Sequence, residues 1–149
     1  MLTIKSILCP TDFSEPSLAG LQAAVELAGL FKADLKLVYV LPVLPVKPTD
    51  PNFEFAIPEY ENILHKDAET KLVEIAKTRV PPAIKTSTVI GHGNAAKEIV
   101  RIAEEDKIDL IVIATHGHAG WHHLILGSVA EKVIRHAPCP VFAVRETRR

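Results

Sequence analysis

The amino-acid sequence predicts an α/β fold in which a parallel sheet of five strands carries helices on both faces. Short apolar runs alternate along the chain with segments of helical periodicity, and this alternation is typical of parallel strands joined by helical crossovers. Runs such as Leu110–Ile113 are apolar at every position, as expected for strands buried on both faces. The 149 residues fit one domain, residues 1–149, which can bury about 70% of its unfolded surface.

Charge and composition argue against several classes of function. The net charge is −1, so the chain offers no broad cationic surface, and neither a nucleic acid nor a membrane is predicted as a partner. The N-terminus has no signal-peptide pattern, and no apolar run approaches the ~20 residues that span a bilayer. A cytoplasmic location is therefore expected. Cys9 and Cys139 are too few for a disulfide framework and are expected to be reduced, packed thiols.

The first strand and helix are predicted from residues 4 to 28. Ile4–Cys9 is an apolar strand that ends at the turn Pro10–Ser14. Ser14 is a favourable helix N-cap, and Pro16 is tolerated in a first turn. The apolar stripe of this helix comprises Leu18, Leu21, Val25 and Ala28.

A second strand, Leu35–Leu41, is followed by a proline-rich excursion. The five prolines of Pro42–Pro58 predict irregular structure, either an ordinary surface connection or a mobile flap. A second helix is predicted to begin near Pro58 and to stop at Pro81-Pro82. Its apolar stripe comprises Leu64, Ala68, Leu72, Ile75 and Ala76.

The third strand, Ile84–Ile90, is predicted to lie at a sheet edge because four consecutive residues from Lys85 to Thr88 are polar. Asn94 then caps a third helix, whose apolar residues are Ile99, Ile102 and Ala103. The intervening Gly91-His92-Gly93 imitates a dinucleotide fingerprint. No acidic residue ends the next strand, so a plain strand-turn-helix connection is favoured.

The fourth strand, Asp109–Ala114, leads into a glycine-bearing loop and a last helix. Ser128 and Glu131 have the spacing of a capping box, which predicts Ser128 as the N-cap. A strand, a glycine loop and a helix start together form the geometry that binds phosphate, because backbone N–H groups and the helix dipole face the anion. Val141–Val144 is the fifth strand, and Glu146–Arg149 is a loose tail.

Two strand ends therefore carry candidate ligand-binding residues. In parallel sheets, ligands lie beyond the carboxyl ends of the strands, where the strand order reverses. One candidate is Pro10-Thr11-Asp12 after the first strand, and the other is the loop that begins at Ala114. If these strands are neighbours, the two segments face each other across a cleft.

The histidines invite a metal hypothesis, but their spacing matches no standard zinc pattern. Phosphate contact or plain solvent exposure explains them better, and no metal site is predicted. No Gly-x-Ser-x-Gly elbow or Walker lysine is present, and no catalytic residue is predicted. The histidines concerned are His116, His118, His122 and His123, with His92 and His136.

Three segments resemble the universal stress protein family. The run Ile7–Ser14 resembles the opening of that family, and His136–Val141 resembles its closing strand. Between them, Ala114–Gly117 and Leu126–Ile134 resemble its signature, which is Gly, two residues, Gly, nine residues, then Gly-Ser or Gly-Thr. Gly117 and Gly127-Ser128 match this pattern, whereas Ala114 stands at its first glycine.

The resemblance implies a Rossmann-like fold of the adenine nucleotide alpha hydrolase type, with strand order 3-2-1-4-5. It also implies homodimerisation through Val141–Val144 and a role in stress survival. Many members bind ATP, whose phosphates lie on the glycine loop, and the expected ligand of this chain is ATP, with or without Mg²⁺, used as a bound signal. A site without a charged clamp holds a nucleotide but scarcely accelerates its hydrolysis, so any turnover is expected to be very slow. Carried over to this chain, the adenosine end comprises Pro10, Thr11, Asp12 and Val40, and the phosphate end comprises Ala114, Gly117, His118, Gly127, Ser128 and Val129.

Two alternatives stay open at this point. Asp12 either accepts a hydrogen bond from the ligand or caps its own turn. The whole chain is either a nucleotide-binding dimer or a dimeric interaction protein of the same fold that binds no nucleotide. The second interpretation depends on Ala114, whose methyl group would crowd a bound sugar or phosphate.

Overall fold

A computed structural model describes residues 2–43, 53–116 and 126–146. Five strands and four helices alternate along these residues. In chain order they are β1 Ser6–Pro10, α1 Glu15–Phe31, β2 Asp34–Leu41, α2 Phe53–Arg79, β3 Thr86–His92, α3 Ala95–Glu105, β4 Leu110–Ala114, α4 Ser128–His136 and β5 Val141–Val144.

The strands form one sheet in the order β3-β2-β1-β4-β5, and every neighbouring pair is parallel. The predicted fold class and strand order are thereby confirmed. β3 lies at an edge, as its polar sequence indicated. β1 pairs directly with β4, with Ile7 opposite Leu110, so the two candidate ligand-binding segments follow neighbouring strands.

Two apolar cores lie on opposite faces of the sheet because alternate strand residues point in opposite directions. Leu110 and Val112 pack with α1 and α2, whereas Ile111 and Ile113 pack with α3 and α4. This placement explains why β4 is apolar at every position. The predicted helical stripes are confirmed, and their fully buried members include Leu21, Leu72 and Ile99.

Hydrogen bonds to one carboxylate hold β1 and β4 together at the amino edge. Asp109 Oδ2 accepts from the backbone N–H of Lys5 at 2.9 Å, the backbone N–H of Ser6 at 3.0 Å and the Ser6 hydroxyl at 3.1 Å. These donors, the Lys5 N–H above all, lower the pKa of the Asp109 carboxyl. The register of the central strand pair is therefore fixed at the end opposite the candidate site.

The start of α2 was predicted wrongly. The helix begins at Phe53, and Pro58 lies inside it. Residues 53–57 contain neither glycine nor proline, and a proline this near the helix start removes only one backbone hydrogen bond. The rest of the proline-rich excursion, residues 44–52, lies outside the described residues, as does the end of the tail, 147–149.

Cys9 and Cys139 are free cysteines that form no disulfide. Cys9 is fully buried in β1, and this burial raises its pKa to about 12. Cys139 is half-buried, which also raises its pKa. Among the described residues, no helix is both long and apolar enough to cross a membrane.

Candidate functional site

The candidate site lies at the carboxyl edge of the sheet, where β1 and β4 end side by side. From β1 the chain enters α1 on one face of the sheet, and α4, which follows β4, packs on the other face. Parallel sheets leave a crevice at such a reversal, and ligands of α/β proteins bind there. The predicted site residues lie at the ends of β1, β2 and β4 and at the start of α4.

Thr11 uses its hydroxyl inside the protein. It is 6% exposed, and its Oγ1 lies 3.0 Å from Ser17 Oγ on α1. The same oxygen accepts from the Phe13 backbone N–H at 3.1 Å. The Thr11 side chain therefore stabilises the turn after β1, and Pro10, the last residue of β1, is half-buried just before it.

Asp12 caps the turn, as one of the two interpretations predicted. Its Oδ1 accepts from the Ser14 backbone N–H at 3.0 Å and from the Ser14 hydroxyl. Ser14 is the N-cap of α1, as predicted, and its side chain accepts from the Ser17 N–H. These bonds fix the position of the Asp12 carboxylate at the edge of the crevice.

The Phe13 side chain anchors this turn to its neighbours. The residue adopts φ 66°, a left-handed conformation that a bulky residue rarely takes. Its ring stacks on Tyr39 of β2 with 4.6 Å between centroids, and Lys71 Nζ of α2 lies 6.0 Å from the ring centroid. Contacts with β2 and α2 therefore offset the backbone strain.

Val40 presents its backbone, not its side chain, to the crevice. The pairing of β1 with β2 ends at Pro10 opposite Val38, where the Thr11 N–H donates to Val38 O at 2.9 Å. Backbone groups alternate sides along a strand, so the N–H and C=O of Val40 point the same way as those of Val38. They face the space beyond the end of β1, while the Val40 side chain packs in the α3 and α4 core.

Ala114, the last residue of β4, lies against α1. A Cβ built on Gly20 of α1 would lie 3.4 Å from Ala114 Cβ and 3.2 Å from Ala114 N. The Ala114 methyl group therefore lies in the close packing between α1 and β4. This direction was not visible in the sequence, where crowding of a ligand by the methyl group was one of two open interpretations.

Gly127 closes the loop by direct backbone contact. Its N–H donates to Thr115 O at 2.7 Å, and a Cβ at position 127 would lie 2.6 Å from the same oxygen. Its φ of −58° and ψ of 150° suit any residue, so glycine is required here for space and not for conformation. Because its N–H is already bonded to Thr115, Gly127 shapes the site without donating to a ligand.

The N-cap of α4 is Gly127, and the prediction that Ser128 would be the cap was wrong. The Glu131 N–H donates to Gly127 O at 2.9 Å, which makes Ser128 the first helical residue. Among the residues that the structure describes, no side chain caps this helix. The first N–H groups of a helix have no intrahelical partner, so Ser128 and Val129, both exposed, carry amides at the positive end of the helix dipole.

The loop itself, residues 117–125, lies outside the described residues, and with it the predicted phosphate contacts Gly117 and His118. His116 is described, and its Nδ1 lies 2.9 Å from Thr115 Oγ1. His92 is on β3, three strand spacings or about 14 Å from β4, and its Nε2 pairs with His65 Nδ1 at 3.2 Å. Within the described ranges, no three His, Cys, Asp or Glu side chains are grouped to hold a metal ion.

Two residues of the site were missed by the sequence analysis. Ser17 is buried in α1 and donates to Ser14 O at 2.8 Å while pairing with Thr11. Gly20 is buried three residues later. A signal for Gly20 was present, since a glycine inside a helical pattern is less stable than alanine by ~1 kcal/mol.

Known proteins are similar to this chain over almost its whole length. A family model described as the universal stress protein family matches residues 3–145. Universal stress protein MJ0531 of Methanocaldococcus jannaschii is 35% identical over 147 residues, which cover 97% of this chain and 84% of the relative. The solved structure of protein MJ0577 from the same organism superposes with a TM-score of 0.83 at 30% identity and covers 99% of both chains.

Two more distant solved structures contain adenine nucleotides. A universal stress protein in complex with cAMP has a TM-score of 0.61 at 23% identity and covers 95% of this chain and 97% of its own. A universal stress protein of Archaeoglobus fulgidus in complex with dAMP has a TM-score of 0.63 at 22% identity, with coverage of 96% and 98%. At these identities the likeness shows a shared fold.

Proposed function

The chain belongs to the universal stress protein family, and from this premise we propose that it is a cytoplasmic homodimer that binds ATP as a regulatory ligand in a stress response. The observation that carries the proposal is the start of α4, where a helix begins beside the end of β4 with no side-chain cap from any described residue. Family members of the same fold form complexes with cAMP and dAMP, which supports an adenine nucleotide as the ligand.

The adenosine end of the ligand is assigned to the turn after β1 and to the end of β2. Val40 offers a backbone N–H and C=O in the space beyond β1, a donor and acceptor pair that suits the edge of a purine ring. Pro10, Thr11 and Asp12 line the neighbouring turn. Because the Thr11 hydroxyl is bonded to Ser17 and Phe13, Thr11 acts through the shape of the turn.

The phosphate end is assigned to the first turn of α4. The amides of Ser128 and Val129 supply backbone donors, and the helix dipole favours the negative charge. Gly127 and Ala114 hold the two sides of the loop, and the resemblance assigns Gly117 and His118 to the same phosphates. Backbone amides bind an anion without a charged clamp on the transferred group, so retention of ATP is expected rather than rapid hydrolysis.

The first experiment measures the nucleotide content of freshly purified protein by mass spectrometry, together with melting in the presence and absence of Mg-ATP. At a hundred times Kd, a ligand adds ~2.7 kcal/mol of stability. GTP serves as the matched control, because it differs from ATP only in the base assigned to Val40. Absence of a melting shift at millimolar ATP would favour the alternative, an interaction protein of the same fold that binds no nucleotide.

A single amide can be removed to test the phosphate assignment. Ser128 is the first residue of α4, where proline is well tolerated, and Gly127 already has the extended conformation that residues before proline prefer. Ser128→Pro should therefore keep the fold and weaken ATP binding, whereas Ser128→Ala keeps the amide and should bind normally. Equal ATP affinity of the two variants, measured by calorimetry, would show that the start of α4 does not bind the phosphates.

The homodimer is assigned to β5, the edge strand next to β4. Val141–Val144 carries no charge, and Phe142 on it is 48% exposed, so this edge lacks the charges that usually protect an edge strand. Phe142→Lys should yield monomers in analytical ultracentrifugation. Phe31→Lys is the control, since Phe31 is 42% exposed at the end of α1. A dimer that survives Phe142→Lys but not Phe31→Lys would place the interface elsewhere.

A further inference from the structure

Gly20 occupies an unusual position in α1. It is buried in the helix interior, where glycine is less favourable than alanine because it loses more backbone entropy on folding. A Cβ at this position would lie 3.2 Å from Ala114 N and 3.4 Å from Ala114 Cβ. Gly29 in the same helix has no atom within 4 Å of an added Cβ. The close approach of β4 therefore accounts for glycine at position 20.

A short chain of tight contacts leads from Gly20 to the first turn of α4. Ala114 is followed by Thr115, whose N–H donates to Val144 O of β5 at 2.9 Å. Thr115 O accepts from the Gly127 N–H at 2.7 Å, and an added Cβ on Gly127 would lie 2.6 Å from that oxygen. Each contact involves backbone atoms, which cannot yield by changing a rotamer.

We propose that Gly20 is a positioning residue for the nucleotide site, because the room that it leaves on α1 for Ala114 sets where β4 ends and where α4 begins. This inference rests on the proposed nucleotide binding. It also accounts for Ala114 at the first glycine of the family pattern, since its methyl group is accommodated against a helix residue that has no side chain. Gly20 and Ala114 thus form one small-residue pair between α1 and β4.

The expected consequence of filling this space is a displacement of the strand end. At 3.2 Å an added methyl group forces the Ala114 backbone to move by a few tenths of an ångström. Thr115 is displaced with Ala114, and Gly127 is displaced with Thr115 because a short 2.7 Å hydrogen bond joins them. The amides of Ser128 and Val129 then move with the helix start. Hydrogen bonds to phosphate weaken with small changes in distance and angle.

The experiment compares Gly20→Ala with the matched control Gly29→Ala, which places the same methyl group in open space on the same helix. Calorimetry measures the Kd for Mg-ATP, and amide NMR of the ligand-free protein follows Thr115, Gly127 and Ser128. Misplacement of a positioned group weakens binding steeply, so Gly20→Ala should raise Kd about tenfold. Gly29→Ala should leave both the Kd and these three resonances unchanged.

A second variant separates positioning from general destabilisation. Ala114→Gly in the Gly20→Ala background removes only the 3.4 Å contact between the two Cβ atoms and keeps the closer 3.2 Å contact with the backbone nitrogen of residue 114, so the raised Kd should persist. Melting of all variants shows whether the Kd follows stability. A Kd that tracks the melting temperature across all the variants, or that returns to the wild-type value in the double variant, would overturn the proposal.

Calorimetry and amide NMR together also distinguish a failure of this inference from a failure of the proposed function. If the wild-type protein binds no nucleotide, the proposed function fails and Gly20 cannot position a nucleotide site, so the proposal falls with it. The NMR comparison then reports only whether the contact chain exists. If the wild type binds ATP, unchanged Kd and unchanged Gly127 and Ser128 resonances in Gly20→Ala would overturn the role of Gly20 alone.

Discussion

The starts of α1 and α4 differ in how their first amides are satisfied. Both helices follow neighbouring strands at the same edge of the sheet. At α1 the Ser14 side chain caps the helix, and Asp12 binds Ser14 in turn. At α4 the cap residue is Gly127, which has no side chain and lies against Thr115 O.

This difference indicates a division of roles between two adjacent helix ends. At the start of α1, hydroxyl and carboxylate groups of the preceding turn cap the helix, so this helix start stabilises the wall of the crevice. The start of α4 has no side-chain cap in the described part of the chain, so its dipole and first amides can act on a ligand. Under the proposed function, the start of α1 is structural and the start of α4 binds the ligand.

The largest effect that tests this comparison is expected for Gly127→Ala. The added Cβ would meet Thr115 O at 2.6 Å, so the loop closure must open. Overpacking of this kind costs ~1–3 kcal/mol, and we expect a loss of that size in urea unfolding together with loss of the ATP response. Gly29→Ala, where no atom is near, should not destabilise the protein. Normal stability of Gly127→Ala would mean that the start of α4 is far more adaptable than that of α1.

A smaller effect should distinguish the two serines at the helix starts. Ser14→Ala removes the acceptor of the Ser17 N–H and should lower stability by ~1 kcal/mol. Ser128→Ala changes a residue that is inside the helix and not its cap, so stability should change by less than ~0.5 kcal/mol. Chemical unfolding of both variants measures the difference. Equal losses would show that Ser128 caps α4 after all.

Acid should weaken the strand pair that supports both helix starts. The folded pKa of Asp109 is lowered, so its contribution to stability is present above the unfolded pKa of ~3.9 and is lost as pH falls through the folded pKa. Asp109→Asn should reduce this loss in unfolding curves recorded between pH 2 and pH 6. Asp67→Asn, in an exposed ion pair with Lys71, is the control. An unchanged pH profile in Asp109→Asn would assign the acid sensitivity elsewhere.

The smallest effects concern one acidic residue in each first turn, Glu15 in α1 and Glu131 in α4. Neutralising either one removes a favourable interaction with the helix dipole and should cost ~0.3–1 kcal/mol. Glu131→Gln should also tighten ATP binding, because it removes a negative charge near the assigned phosphates. Glu15→Gln should leave ATP affinity unchanged. Equal ATP affinities of the two variants in titration calorimetry would place the phosphates away from α4.

The sequence was informative wherever a local rule decides the outcome. Ser14 and Asn94 were identified as caps because their side chains satisfy nearby amides, and both caps are observed. The polar residues of β3 correctly indicated an edge strand. Ser128 was misassigned by one position because glycine satisfies the cap conformation equally well, and a capping-box spacing does not specify which residue provides the carbonyl.

Contacts between distant parts of the chain could not be predicted. Gly20 and Ala114 are in contact only because α1 packs across β4, and nothing in the sequence around either residue indicates the other as its neighbour. The direction of the Val40 backbone depends on the register of β2 with β1, which is a property of the assembled sheet. Pro58 inside α2 shows the reverse case, in which a strong local signal was overridden.

The placement of Cys9 in the first core has a chemical consequence. With its pKa raised to about 12, this sulfur stays protonated at neutral pH, and only a thiolate attacks peroxides or disulfides at an appreciable rate. The pKa of Cys139 is also raised, which lowers the rate at which its thiol reacts with oxidants. The two thiols of the folded chain are therefore expected to react slowly with oxidants, and peroxide treatment should leave the fully buried Cys9 intact until the protein unfolds.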